Sequence, residues 1–130
     1  MAEKSALIES NSRVKILSAT PVKVASKKLL GVQLESSLAK LPAWRFESSV
    51  PEGIRRRFVF RDFKAAFSFM TRVALYSEEQ AHHPEWNNVY NVVEIRLSTH
   101  DVGGLSEKDF KLAAQIDEAA VGLVQEPSLK

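Results

Sequence analysis

The apolar and polar positions of this 130-residue chain predict seven elements in the order helix, two strands, helix, two strands, helix. Leu30, Leu34, Leu38 and Leu41 recur at spacings of four, four and three, one face of a helix that begins after Ser26. Pro42 ends it, because proline cannot continue the hydrogen-bond ladder. Trp44 and Phe46 then alternate with Arg45 and Glu47, the period of a half-buried strand. Ser48 to Gly53 reads as a loop, and Ile54 to Arg61 as a second, antiparallel strand. Asp62 is a natural N-cap for the next helix. That helix carries two apolar stripes: Phe63, Phe67, Met70 and Ala74, and, displaced around it, Phe69, Val73 and Tyr76. Two stripes fit a helix between its own sheet and a partner subunit, or one buried deeply in its own fold. Beyond His82-His83-Pro84, the segment from Trp86 forms a hairpin with Val89 and Tyr90 on its first strand. On the second, Val93, Ile95 and Leu97 alternate with Glu94 and Arg96. Ser106 with Asp109 forms a capping box, Asp replacing the usual Glu, for a last helix from Glu107 to Val124 with Leu112, Ile116, Ala119 and Leu123 on one face.

Strand pairs joined by helices predict an α+β domain, an antiparallel sheet with the helices layered on one face, over residues 26–125. Residues 1–25 have no clear period and read as an N-terminal extension, with a short edge strand around Val22–Ala25. Its basic excess resembles an organelle transit peptide, but Glu3 and Glu9 break the acid-poor signature. The composition, 45% hydrophobic and 26% charged, predicts a packed core rather than disorder. The absence of cysteine excludes disulfide scaffolds, thiol nucleophiles and zinc ribbons together. No apolar run exceeds the four residues Val73 to Tyr76, far short of the ~20 that span a bilayer. A cytoplasmic protein is expected, with the nucleus also open to it and organelle targeting through residues 1–25 not set aside. Arg55-Arg56-Arg57 invites a nucleic-acid reading, but strand alternation sends Arg56 to the other face, so no nucleic-acid binding is expected. Gly103-Gly104 lacks the other residues of a phosphate loop and reads as a turn.

All three histidines, His82, His83 and His100, fall within nineteen residues. Imidazole exchanges protons near neutral pH, and a hairpin return would bring its two ends, and so all three rings, to one pocket. Zinc is the rival reading, with Glu78 or Asp101 as a further ligand. Adjacent His82 and His83 point to opposite sides when extended, and no His-Glu-x-x-His spacing occurs, so no metal is expected.

Glu78-x-x-x-His82-His83-Pro84, followed by Tyr90, His100 and Asp109 at their spacings, resembles the signature of the pterin-4a-carbinolamine dehydratases. Phe69-Met-Thr-Arg-Val-Ala-Leu75, His82-His-Pro-Glu-Trp86 and Leu97-Ser-Thr-His100 strengthen the likeness. It covers Asp62 to Ala120 well and Ser26 to Arg61 more loosely. The resemblance implies a four-stranded antiparallel sheet with three helices on one side, and a homotetramer, a dimer of dimers, with the second helix in a central bundle. The implied reaction removes water from a 4a-hydroxytetrahydropterin to give the quinonoid dihydropterin. It recycles tetrahydrobiopterin for aromatic amino-acid hydroxylases, to which the chain would be functionally coupled, and it uses no cofactor, the pterin being substrate. By analogy His82 and His100 form the acid/base pair and His83 orients the pterin. Glu78 holds an imidazole or the pterin ring, Pro84 and Trp86 form apolar walls, and Ser98, Thr99 and Asp101 lie at the pocket rim. Ala81 stands where many animal members have Asp, which bears on substrate affinity, and Asp101 stands where they have Glu. Animal members also serve as dimerisation cofactors of a homeodomain transcription factor through the second helix. That implies a rival reading as a binding module whose docking face is Phe69, Val73 and Tyr76. A catalytically idle family member is the third reading.

Overall fold

A computed structural model describes residues 26–125. The expected extension and the strand at Val22–Ala25 lie outside the described residues. The elements run α1 (Gly31–Ala39), β1 (Arg45–Glu47), β2 (Gly53–Val59), α2 (Phe63–Gln80), β3 (Glu85–Val89), β4 (Val92–Leu97) and α3 (Glu107–Ala120). The order is α-β-β-α-β-β-α as expected, and the sheet is antiparallel throughout with strand order β1-β2-β4-β3.

One face of that sheet is dry. Ile54, Phe58 and Phe60 from the β2 segment meet Val93, Ile95 and Leu97 of β4, and all are essentially unexposed. The helices cover them with Phe69 and Val73 of α2 and Leu112, Ala113 and Ile116 of α3, while Leu34, Leu38 and Leu41 pack at the margin. The rings of Phe58 and Phe60 lie 4.8 Å and 4.9 Å from that of Phe69, so three aromatics fill the middle of the core. Asp117 fastens α3 to the sheet's other edge: it accepts from Trp44 Nε1 at 2.8 Å and from Arg56 Nη1 at 2.7 Å. Alternation did send Arg56 to the helix side, where it crosses the Phe58 ring at 4.4 Å.

The wet face is held by ions. Glu47 accepts from Arg55 Nε at 2.6 Å and from Arg96 Nε at 2.7 Å, joining three strands. The Arg55 bond is the main reason the Glu47 carboxyl titrates below the ordinary 4.5; burial pushes the other way and Arg96 adds to the lowering. Arg96 is only 8% exposed, because the loop before β2 folds over it and Pro51 accepts from Nη2 at 2.7 Å. Gly53 leaves room for that guanidinium: a Cβ there would sit 2.6 Å from Arg96 Cζ.

Three expectations are corrected. Helix α1 starts at Gly31, whose φ is +55°, and Leu30 is exposed. Leu29 takes the buried place, since the chain is held extended there by Leu29 N–H donating to the Leu105 carbonyl at 2.8 Å. Helix α3 ends at Ala120 rather than Val124; Gly122, at φ +82°, lets the chain turn so that Val124 bridges Phe60 and Gln125 N–H reaches the Val59 carbonyl. On α2 the stripe of Phe69 and Val73 faces the core, not a partner, while Phe63 and Phe67 are 46% and 54% exposed. Ala65, Ala66 and Ser77 flank Phe69 and Val73, and these small residues let that side approach the sheet.

Candidate active site

The histidines are placed by helix ends and one hairpin. Asp62 caps α2 by accepting from Ala65 N–H at 2.9 Å. After eighteen helical residues, α2 is closed by Ala81 in the left-handed region at φ 52°, with Ala81 N–H bonded to the Glu78 carbonyl and His82 N–H to that of Ser77. Those paired closing bonds fix the direction in which His82 and His83 leave the helix. The β3–β4 hairpin turns tightly through Tyr90 and Asn91, where Asn88 Nδ2 donates to both the Tyr90 and Val92 carbonyls. Tyr90 therefore sits in the turn rather than on the strand. In this register Glu85 pairs with Arg96, so the start of β3 lies beside the end of β4 and the short helical turn His100–Val102 that follows.

Each imidazole meets one carboxylate. His82 is buried, and its Nε2 donates to Asp109 Oδ1 at 2.7 Å. His83 is exposed and its Nε2 bonds Glu78 Oε2 at 2.6 Å. His100, also exposed, places Nε2 3.2 Å from Glu85 Oε2. The hairpin thus brings His100 to Glu85, two residues from His83, as the pattern anticipated. Of the three rings, only that of His82 is buried.

Asp109 is the centre of the buried part. It is fully enclosed, and its second oxygen accepts from Thr99 Oγ1 at 2.6 Å and from Ser106 N–H at 2.9 Å. Ser106 Oγ in turn bonds Thr99 Oγ1 at 2.7 Å and accepts from Lys108 N–H, completing the expected capping box. A carboxylate that accepts fixes its partners' protons: with Nε2–H on Asp109, the neutral His82 ring keeps Nδ1 as its proton acceptor.

This sequence of contacts sits within a stretch, residues 27–119, that matches the family described as pterin 4 alpha carbinolamine dehydratase. The chain belongs to that family.

Two relatives named pterin-4-alpha-carbinolamine dehydratase are each 52% identical to it. One, from Rhizorhabdus wittichii, aligns over 84 residues, 65% of this chain and 86% of the relative. The other, from Burkholderia cenocepacia, aligns over 95 residues, 72% of this chain and 90% of the relative. Among solved structures, a transcriptional coactivator/pterin dehydratase from Brucella melitensis superposes with a TM-score of 0.69 at 38% identity, covering 72% of this chain and 99% of that one. A pterin dehydratase-like protein identified as a RuBisCO assembly factor in the alpha-carboxysome gives 0.53 at 29% identity, covering 61% and 90%.

In this member of the pterin dehydratase family, the residues expected at the rim divide. Asp101 is exposed on the turn after β4. Ser98 and Thr99 are buried instead, and their hydroxyls serve the Glu52 carbonyl and Asp109. Pro84 is half-buried, and Trp86 packs against the core from β3. Two working residues went unassigned from the sequence. Asp109 appeared there as a helix cap and as one position of the family signature, with no part in the site. Glu85 showed only as the polar residue between Pro84 and Trp86. Among the described residues no three His, Asp or Glu side chains converge as a metal ion would need.

Proposed function

We propose that this chain dehydrates a 4a-hydroxytetrahydropterin, the 4a-carbinolamine, to the quinonoid dihydropterin by histidine general acid/base catalysis. The observation that carries the reading is the set of three imidazoles, each oriented by its own carboxylate, around the open end of one hairpin. The reaction asks for such groups. Hydroxide leaves C4a poorly, so an acid must protonate it as the C4a–O bond breaks, while the N5 proton departs to a base and its electron pair forms the new C=N bond. Each positioned proton transfer is worth ~10²–10⁴-fold. His82, with Asp109 on Nε2, offers Nδ1 as the base, and His100 supplies the acid. His83, steadied by Glu78, orients the pterin, between the apolar surfaces of Pro84 and Trp86 and beside Asp101. No step calls for a metal or a further cofactor. The quinonoid dihydropterin would then need a two-electron reduction by a separate reductase before it could serve an aromatic amino-acid hydroxylase again as tetrahydrobiopterin. With the carbinolamine generated by such a hydroxylase, the chain accelerates its dehydration well above the spontaneous rate; no acceleration by folded protein overturns the reading.

Phe63, Phe67 and Leu75 on α2 are 46–61% exposed, with the Phe63 and Phe67 rings 5.6 Å apart. We assign this face to self-association, with a homotetramer as the expected state. The same face supports the second reading, a dimerisation or coactivator-type module that binds another protein through α2. Light scattering separates them: a tetramer that Phe67→Asp dissociates occupies the face with its own copies, and a strict monomer favours the module.

A further inference from the structure

A recess of about 780 Å³ lies between the segment entering α1, the last turn of α2 and the first turns of α3. It is separate from the histidines: neither they nor their carboxylate partners line it. Lys27, Lys28, Lys108 and Lys111 surround it, against Glu79 and Glu107. Lys28 is partly engaged by Glu52 at 3.8 Å. Lys108 is the anomaly. Its Nζ is buried without any hydrogen-bond acceptor, the single side-chain atom among the described residues in that condition. Lysine seldom loses water without gaining a partner, because an unsatisfied buried donor costs free energy.

We propose that this recess is a binding site for a small, multiply charged anion of the phosphate class, with Lys108 Nζ as its inner contact and Lys27 and Lys111 as its outer ones. Size selects a small ligand, since cavities of about 300–1,000 Å³ are the usual range for small-molecule sites. The charge is supplied by lysines, point cations that suit phosphate oxygens and need no bidentate geometry. Burial of the inner amine argues against an extended macromolecular partner, which would engage the outer lysines first. The site is independent of the dehydratase reading, and its ligand is either free phosphate or pyrophosphate or the phosphate group of a metabolite.

The test is a calorimetric titration of the full chain with inorganic pyrophosphate at ionic strength held constant by sodium chloride, paired with thermal melts. Saturable binding is expected, weakened about tenfold or more in Lys108→Met by loss of one charge-assisted contact, and unchanged in Lys64→Gln, which lies outside the recess. Without anion, Lys108→Met melts no lower than wild type, showing that it is folded, and it loses the rise in melting temperature that pyrophosphate gives wild type. A phosphate ester that competes with pyrophosphate and binds more tightly identifies a metabolite; inorganic phosphate competing as well as any ester identifies the free ion. Equal affinity in Lys108→Met and wild type overturns the proposal. So do an equal loss in Lys64→Gln, absence of saturable binding, and saturable binding of an acidic peptide but not of pyrophosphate.

Discussion

Replacing Asp109 separates what the buried carboxylate does for stability from what it does for His82. Its oxygens satisfy three donors: His82 Nε2–H, Thr99 Oγ1–H and Ser106 N–H. In Asp109→Ala the Thr99 hydroxyl still has Ser106 Oγ at 2.7 Å, but the His82 ring and the Ser106 N–H are left unpaired in a dry site. At about 1–3 kcal/mol for each of these two orphaned donors, the loss is about 2–6 kcal/mol. Asp109→Asn behaves differently. Its amide oxygen can still take the Thr99 and Ser106 donors, while its NH₂ faces His82 Nε2, so the imidazole must move its proton to Nδ1 to accept there. The stability loss is then smaller, about 1–2 kcal/mol, but Nδ1 is no longer free to act as a base. Urea unfolding should rank Asp109→Ala well below Asp109→Asn, and ¹⁵N NMR of His82 should show the tautomer exchanged in the second. Both variants lose about 10²–10⁴-fold in dehydration rate. An Asp109→Asn protein that keeps the Nε2–H tautomer, or keeps full activity, refutes the reasoning.

Two further predictions concern the frame around the site. Glu47 titrates below its ordinary 4.5 in the folded protein, so its contribution is present above that value and is lost as pH falls through it and through the folded pKa. Urea unfolding of Glu47→Gln should show lower stability at neutral pH and a flatter acid limb; profiles that run parallel to wild type contradict the pairing with Arg55 and Arg96. Ala81 holds a left-handed conformation at the end of α2. Relief of about 1–2 kcal/mol of that cost exceeds the chain-entropy penalty of glycine, so Ala81→Gly should stabilise by about 0.5–1 kcal/mol, read as a rise of a few degrees in melting temperature; a fall in melting temperature contradicts it.

Local rules were legible wherever one residue settles them. Asp62 as a cap, the Ser106–Asp109 box and the dry alternation of Val93, Ile95 and Leu97 all follow from short spacings, and the structure keeps them. Tertiary choices were not legible. Periodicity offered two faces of α2, and the small residues Ala65, Ala66 and Ser77, not the size of the aromatics, decide which one meets the sheet. Leu29 and Leu30 are equivalent by composition, and a backbone bond to Leu105 selects the buried one. Arg96 reads as a wet-face residue until the loop before β2 closes over it. The histidine cluster was readable as a set of proton-exchanging groups, and the family motif adds the reaction. Glu78 was foreseen as a partner for an imidazole or the pterin ring, but the carboxylates on the other two rings were not, because Glu85 reaches His100 only through the hairpin register and Asp109 reaches His82 only through the packing of α3.

The central claim, that this histidine cluster dehydrates the carbinolamine, is tested most directly by single-turnover dehydration with wild type, His82→Ala, His100→Ala and the double variant. Acid and base acting in one step predict a large loss in each single variant and a double variant at the spontaneous rate, with all four chains folded and the two lacking His82 melting lower because buried Asp109 loses a donor. A double variant that keeps wild-type acceleration contradicts the claim and places the chemistry elsewhere.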